Sequence, residues 1–258
     1  MKNLEFETIG WSHERSAFPS KLIDDVADEL GTIGSNLVSE DNVKYENVDQ
    51  IWNHLKSSNR ALGGTLYNGF KHLQAIKRLG SSKEMHEILG SLCGVRQPAL
   101  IDINCRIDSN GEEKFLFDWH QDYWFSICSP NSVVVWIPIT KLEPSMGGLQ
   151  IISNSHTGGR IFRTKAGTQY RSYADAITLD EELPQCKINV VDDMDVGDAL
   201  FFKFNVLHKS IPIRSTQRSR FTVQLRFADF SDPEFVSQGY RPGTVNSQSI
   251  DYINKKSK

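Results

Sequence analysis

Hydrophobic and polar positions change their period near residue 98. Before it, the spacing is helical. In Ser20–Leu30 the apolar positions 22, 23, 26, 27 and 30 form one stripe, and Gly31 follows as a stop signal. The stretches 48–55 and 62–79 read as further helices, with Gly63, Gly64 and Gly69 blurring where the second begins, and Lys83–Cys93 has apolar residues at 85, 88, 89 and 92. From Pro98 onward the pattern becomes short strand-like runs, among them 100–107, 133–139, 188–191, 199–204 and 221–227. Asp108-Ser109-Asn110-Gly111 reads as a hairpin-like turn and Pro144–Gly148 as a second turn.

The pattern therefore predicts one domain in three parts: residues 1–97 as mainly helical support, 98–230 as a β core, and 231–258 as an extended, peripheral tail. A chain of 258 residues suits a single β-rich domain. Residues 157–187 are the longest stretch without a clear period. Such stretches in compact domains are often lids or binding loops. Here a lid over a cavity is expected, and its basic residues Arg160, Arg163 and Lys165 would suit an anionic ligand if they turned inward.

Composition narrows the function classes. With 39% hydrophobic and 24% charged residues the chain is an ordinary soluble globule. The net charge of −3 argues against a dedicated nucleic-acid surface. No apolar run approaches the length of a membrane span. The N-terminus, Met1–Glu7, lacks a signal-peptide core, and Cys93, Cys105, Cys128 and Cys186 form no CxxC pair, so a cytoplasmic protein with reduced thiols is expected. Oligomeric state is not legible.

Candidate chemistry lies in Phe117-Asp118-Trp119-His120-Gln121-Asp122-Tyr123-Trp124 and, 88 positions after His120, in His208. If the first segment is extended, His120 and Asp122 point to one side. His208 follows the apolar run 199–204 and reads as the end of a buried strand. Two imidazoles and a carboxylate form the facial triad of a non-haem iron(II) site, which leaves coordination positions open. A lone His-X-Asp is common, so the case rests on shared context. That context includes Arg220, which opens the run 220–227 after a polar loop and so predicts a hairpin with the His208 run. By alternation Arg220, Thr222, Gln224 and Arg226 share one face, and a planar guanidinium is suited to a dicarboxylate such as 2-oxoglutarate.

With these residues in place, the chain resembles the phytanoyl-CoA dioxygenase family of iron(II)/2-oxoglutarate oxygenases, which includes ectoine hydroxylase. Trp119–Asp122 matches the family's His-X-Asp segment. Residues 133–139 and 147–156 resemble its second block, with Met146, Ser153 and Asn154 departing from the usual residues. Residues 197–227 carry the third block. The resemblance covers about residues 98–228 and implies a double-stranded β-helix, or jelly-roll, core. It implies that His120, Asp122 and His208 bind Fe(II), and that Arg220 takes the distal carboxylate of 2-oxoglutarate with help from Ser210. Arg218 competes with Arg220 for that role, because the family's usual spacing falls between them. Asn104 is a further co-substrate position and Arg106 a substrate-side one. Trp124 and Arg160 are the remaining substrate-side candidates. The resemblance excludes His156 as a ligand, and it disfavours a triad built on Asp118.

The implied activity is hydroxylation of an unactivated C–H bond of a small molecule, consuming molecular oxygen and 2-oxoglutarate and releasing succinate and carbon dioxide. Asp122 argues against a halogenase, where a small residue would open a halide position. Two rivals stand beside this reading. One is a cupin-like metalloenzyme of another class that needs neither Arg220 nor 2-oxoglutarate. The other is a barrel-shaped binding module without turnover. The residues do not choose a substrate.

Overall fold

The structure is a computed structural model that describes residues 3–38, 44–124, 129–165, 177–237 and 239. Two antiparallel sheets face each other, and helices cover the outside of the larger one: a jelly-roll core with a helical layer. The helices are α1 (Leu4–Ile9), α2 (Ser20–Leu37), α3 (Val48–Ser58), α4 (Arg60–Phe70), α5 (Gln74–Gly80), α6 (Lys83–Ser91) and α7 (Pro233–Ser237). The strands are β1 (Trp11–Glu14), β2 (Pro98–Asp108), β3 (Val133–Pro138), β4 (Leu149–Ile152), β5 (Ile188–Val191), β6 (Ala199–Lys203), β7 (His208–Ser210) and β8 (Arg220–Asp229). The large sheet has the order β1-β6-β3-β8-β2, and the small one β5-β4-β7.

Alternation along β8 builds both layers. Phe221, Val223, Leu225 and Phe227 point outward and join the helical core with Ile23, Val26, Leu30, Leu55 and Leu79. The opposite face looks into the sandwich, where Val134, Trp136, Leu200 and Phe202 meet Leu149 and Ile151 of the small sheet. A register shift between Leu100 and Asp102 puts Asp102, Asn104, Arg106 and Asp108 of β2 opposite Arg226, Gln224, Thr222 and Arg220 of β8. The inner face of this strand pair is thus polar, although it is largely buried.

Several expected boundaries move. Helix α2 runs past Gly31 to Leu37, because Gly34 lies where α3 packs: a Cβ there would meet the Ile51 side chain at 2.6 Å. The stretch 62–79 is not one helix; α4 ends at Phe70 and α5 starts at Gln74. The helical N-terminal part also holds a strand, β1, which pairs with β6. Asp108–Gly111 does turn but closes no hairpin, since β2 pairs with β8. The tail starts with a short helix, α7, anchored by buried Phe235. Of the segment expected to be a lid, residues 157–165 and 177–187 are described, and 166–176 lie outside the described residues.

Candidate metal centre

The segment carrying His120 and Asp122 is not a regular strand. His120 makes one antiparallel bridge to His208, exchanging backbone hydrogen bonds of 3.0 and 3.1 Å, and Asp122 then begins a 3-10 turn through Trp124. Gly197–Phe204 does not end at the histidine either. β6 stops at Lys203, the chain turns, and His208 opens β7 in the other sheet. The expected β7–β8 hairpin is therefore absent, because the loop between them crosses from one sheet to the other. That crossing brings ligands from distant segments together.

The bridge sets the two imidazoles side by side, with ring centroids 4.2 Å apart. One ligand atom from each of His120, Asp122 and His208 lies within 4.8 Å of the others, and all three residues are buried. Nδ1 of His120 lies 2.7 Å from the Asp118 carbonyl, and Nδ1 of His208 lies 3.1 Å from the Val206 carbonyl. A carbonyl only accepts, so each Nδ1 carries the proton and each Nε2 presents a lone pair. Burial lowers both histidines below the usual imidazole value, His120 to about 3, with the charge of His208 adding to the effect there. Neutral imidazoles are the form a metal needs.

Asp122 has a different support. Burial alone would raise its pKa, but the Arg226 guanidinium, followed by the neighbouring histidines, holds it down to about 2. Arg226 Nη2 donates to Asp122 Oδ1 at 2.8 Å, while Oδ2 lies 3.7 Å from His208 Nε2. Arg226 Nη1 donates to Asp102, also at 2.8 Å. One carboxylate oxygen is thus tied to the protein and the other faces the histidines. The donor set, neutral nitrogens plus one ionised oxygen at mutual distances that one ion can span, fits a divalent iron.

Gln121, between the ligands, points the other way. Its Nε2 donates to the carbonyls of Arg160 at 2.9 Å and Asn205 at 2.6 Å, and its Oε1 accepts from the Phe162 N–H at 2.9 Å. This one amide ties the ligand segment to the loop after β4 and to the turn before His208. The Thr178 N–H donates to the Trp119 carbonyl at 2.8 Å, and Thr164 bridges Thr178, so both ends of the long loop rest on the same segment.

The remaining candidates separate. Arg220 is buried on the inner face. Its Nε and Nη2 donate to Asp108 at 3.3 and 2.9 Å, and its Nη1 to the carbonyls of Gly148 and Ile211 at 3.0 and 3.1 Å. Those carbonyls converge because Gly147, at φ +62°, and Gly148 have no Cβ; one would come within 2.4 Å of the Ile211 oxygen or 1.9 Å of the Val191 oxygen. Ser210, next to Ile211, is two residues after His208 on β7 and shares its side. Asn104 donates to Gln224 across the strand pair at 3.4 Å. Arg106 pairs with Asp108 and lies over the Phe117 ring, 5.1 Å from its centre; that ring is 5.1 Å from the His120 ring.

Other side chains point away. Arg218 faces outward to Asp49 and Glu143. Arg160 and Arg163 do not turn inward: both pair with Glu182, and Arg160 lies over Phe162 with its side chain 54% exposed. The case for an anionic substrate drawn from them falls away. His156 bonds to the Glu7 carbonyl at 2.9 Å, and the Asp118 side chain is exposed. The Trp124 side chain lies outside the described residues. No helix among the described residues is long and apolar enough to cross a membrane.

The sequence matches the family described as Phytanoyl-CoA dioxygenase (PhyH) over residues 15–222. The chain belongs to this family. It is 25% identical over 199 residues to the 1-deoxypentalenic acid 11-beta-hydroxylase of Streptomyces exfoliatus, covering 76% of this chain and only 60% of that relative. The solved structures that share the fold include two in complex with 2-oxoglutarate. EctD from S. alaskensis, solved with 2-oxoglutarate and 5-hydroxyectoine, has 16% identity and a TM-score of 0.58 over 95% of this chain and 82% of that one. The epimerase SnoN, from nogalamycin biosynthesis and solved with Fe3+, alpha ketoglutarate and nogalamycin RO, has 15% identity and a TM-score of 0.58 over 88% and 81%.

Proposed function

We propose that this protein hydroxylates an unactivated C–H bond of a small molecule, using molecular oxygen and 2-oxoglutarate and releasing succinate and carbon dioxide. His120, Asp122 and His208 would hold the iron, which supplies the site for oxygen activation. Arg220 and Ser210 would hold the distal carboxylate of 2-oxoglutarate. One observation carries the reading: three buried ligands from two segments meet within 4.8 Å with both imidazoles already in the metal-binding tautomer. The hydroxylase named among the relatives supports the outcome, and the protein's own part is to keep coordination positions open and water out.

Residues 1–97, 98–230 and 231–258 would work as one domain. A single apolar cluster running from α2 and α3 through β8 joins the first two parts, and Phe235 packs into the cluster between the sheets. The test is anaerobic titration with iron(II), followed by measurement of succinate formed from 2-oxoglutarate in oxygen. One iron per chain and iron-dependent succinate are expected. Succinate formation that is indifferent to iron would refute the proposal.

A further inference from the structure

Strand β2 carries an extra residue where it passes the metal centre. Pro98, Ala99 and Leu100 stand opposite Asp229, Ala228 and Phe227 of β8. The register then shifts, so that Asp102 stands opposite Arg226; without the shift Ile101 would stand there. Bulges next to active sites re-aim side chains. Here the extra residue brings a second carboxylate to an arginine that already holds Asp122.

The result is a row of three charges running from solvent to the site. The Asp102 side chain is 47% exposed, that of Arg226 6% and that of Asp122 3%. Arg226 spans the two carboxylates with separate nitrogens, Nη1 on Asp102 Oδ2 and Nη2 on Asp122 Oδ1, each at 2.8 Å. A planar fork can do this where a lysine would be a single point of charge. Only Asp122 Oδ2 is left facing His208 Nε2. An oxygen that already accepts from a cation is a poor second ligand, so Asp122 is restricted to one oxygen and the far face of the octahedron stays open. The same guanidinium repels a divalent ion bound beside it, and the charge of Asp102 offsets part of that repulsion.

We propose that Arg226 and Asp102 are positioning residues for the ligand Asp122: Arg226 confines it to one oxygen and weakens metal binding in doing so, and Asp102 restores part of that affinity. This rests on the iron site proposed above and extends it to two residues outside the triad. The two act in opposite directions on the metal, although they are bonded to each other.

Calorimetric titration of the metal-free protein with Mn(II), without oxygen, reads the effect on the metal. Asp102→Asn changes a half-exposed side chain with little change of shape, and is expected to weaken Mn(II) binding about two- to fivefold. Arg226→Met is expected to tighten it about tenfold or more, and Arg226→Lys, which keeps the charge without the fork, to return it most of the way to the wild-type value. Damage to the fold would weaken binding in every variant, so the opposite signs distinguish positioning from a merely structural role. Titration of the Mn(II)-loaded proteins with 2-oxopentanoate reads the effect on the open face. This compound has the keto-acid end of 2-oxoglutarate and a methyl group in place of the distal carboxylate. In Arg226→Met the freed Asp122 oxygen competes for the open face, so 2-oxopentanoate and 2-oxoglutarate should both bind about tenfold more weakly. Unchanged or tighter Mn(II) binding in Asp102→Asn overturns the proposal, and this variant decides alone if Arg226→Met fails to fold. Weaker Mn(II) binding or undiminished 2-oxopentanoate binding in folded Arg226→Met overturns it too. The wild type and His208→Ala separate the two readings. If the wild type takes up no Mn(II), or His208→Ala binds it equally well, the iron site itself falls; if both behave as expected and the signs above fail, only the positioning roles fall.

Discussion

Arg220 and Arg226 lie on one face of one strand, six residues apart, and their surroundings are built differently. Arg226 sits between two carboxylates, Asp102 and Asp122, so its end of the strand is one negative charge in excess. Arg220 shares a single carboxylate, Asp108, with a second arginine, Arg106. The first end adjoins the histidines and suits a cation; the second gathers guanidinium groups. The same residue type does different work at each end because β2 sets a different partner opposite it, Asp102 in one case and Asp108 in the other. Function on this strand is written in the pairing register as much as in the residues.

The strongest test of the cation end is His208→Ala. It should abolish iron binding and iron-dependent succinate formation while the protein stays folded, as read by metal analysis and circular dichroism; retained turnover would break the assignment. Next come paired variants that sharpen the contrast. Arg226→Met leaves Asp122 as an unpaired buried charge and should cost the metal-free protein about 3–5 kcal/mol in urea unfolding. Added Mn(II) should recover a larger share of stability than in the wild type, because the ion replaces the lost positive charge. The same variant should leave the ratio of 2-oxoglutarate to 2-oxopentanoate affinity intact. If it instead moves that ratio as far as Arg220→Gln does, the two ends are not independent and the comparison fails.

A smaller effect is expected from pH. In the metal-free protein His120 and His208 are held below the ordinary value of 6.5, as are His13 and His156. Below that pH the unfolded chain takes up protons that the native state refuses, so stability falls as pH falls. For His120 the loss continues toward its native value of about 3. The carboxylates Asp122 and Asp108 add their own loss only below about their ordinary value of 3.8. Urea midpoints between pH 7 and 4 should decline, and less steeply in His120→Gln; a rise on acidification would contradict the neutral-imidazole assignment. The smallest effect is expected from Arg218→Ala. This half-exposed arginine pairs with Asp49 and Glu143 at the surface, so stability should change by about 1 kcal/mol or less, and 2-oxoglutarate affinity should not change.

Residue type and order made the three candidate ligands and the polar face of β8 legible in the sequence, because alternation alone puts Arg220, Thr222, Gln224 and Arg226 together. The partners of that face were not legible. Asp108 reads locally as the first residue of a turn, and only the β2–β8 register shows it to be a buried counterion. Arg226 gives no sign of reaching Asp122, 104 residues earlier in the chain. Gln121 looks like a spacer between ligands, since nothing local indicates that its amide meets three backbone groups from two other segments. The His120 segment reads as a strand from its aromatic residues, yet it pairs with His208 through an isolated bridge and not through a ladder. Gly31 misleads in the other direction: tertiary packing against α3 carries α2 past a residue that would end an isolated helix.

The Thr164–Thr178 bridge, with Thr178 resting on Trp119 and Gln121 gripping Arg160 and Phe162, closes the long loop at its base. A change at Gln121 or Thr178 would therefore reach His120 and Asp122 through the backbone they share.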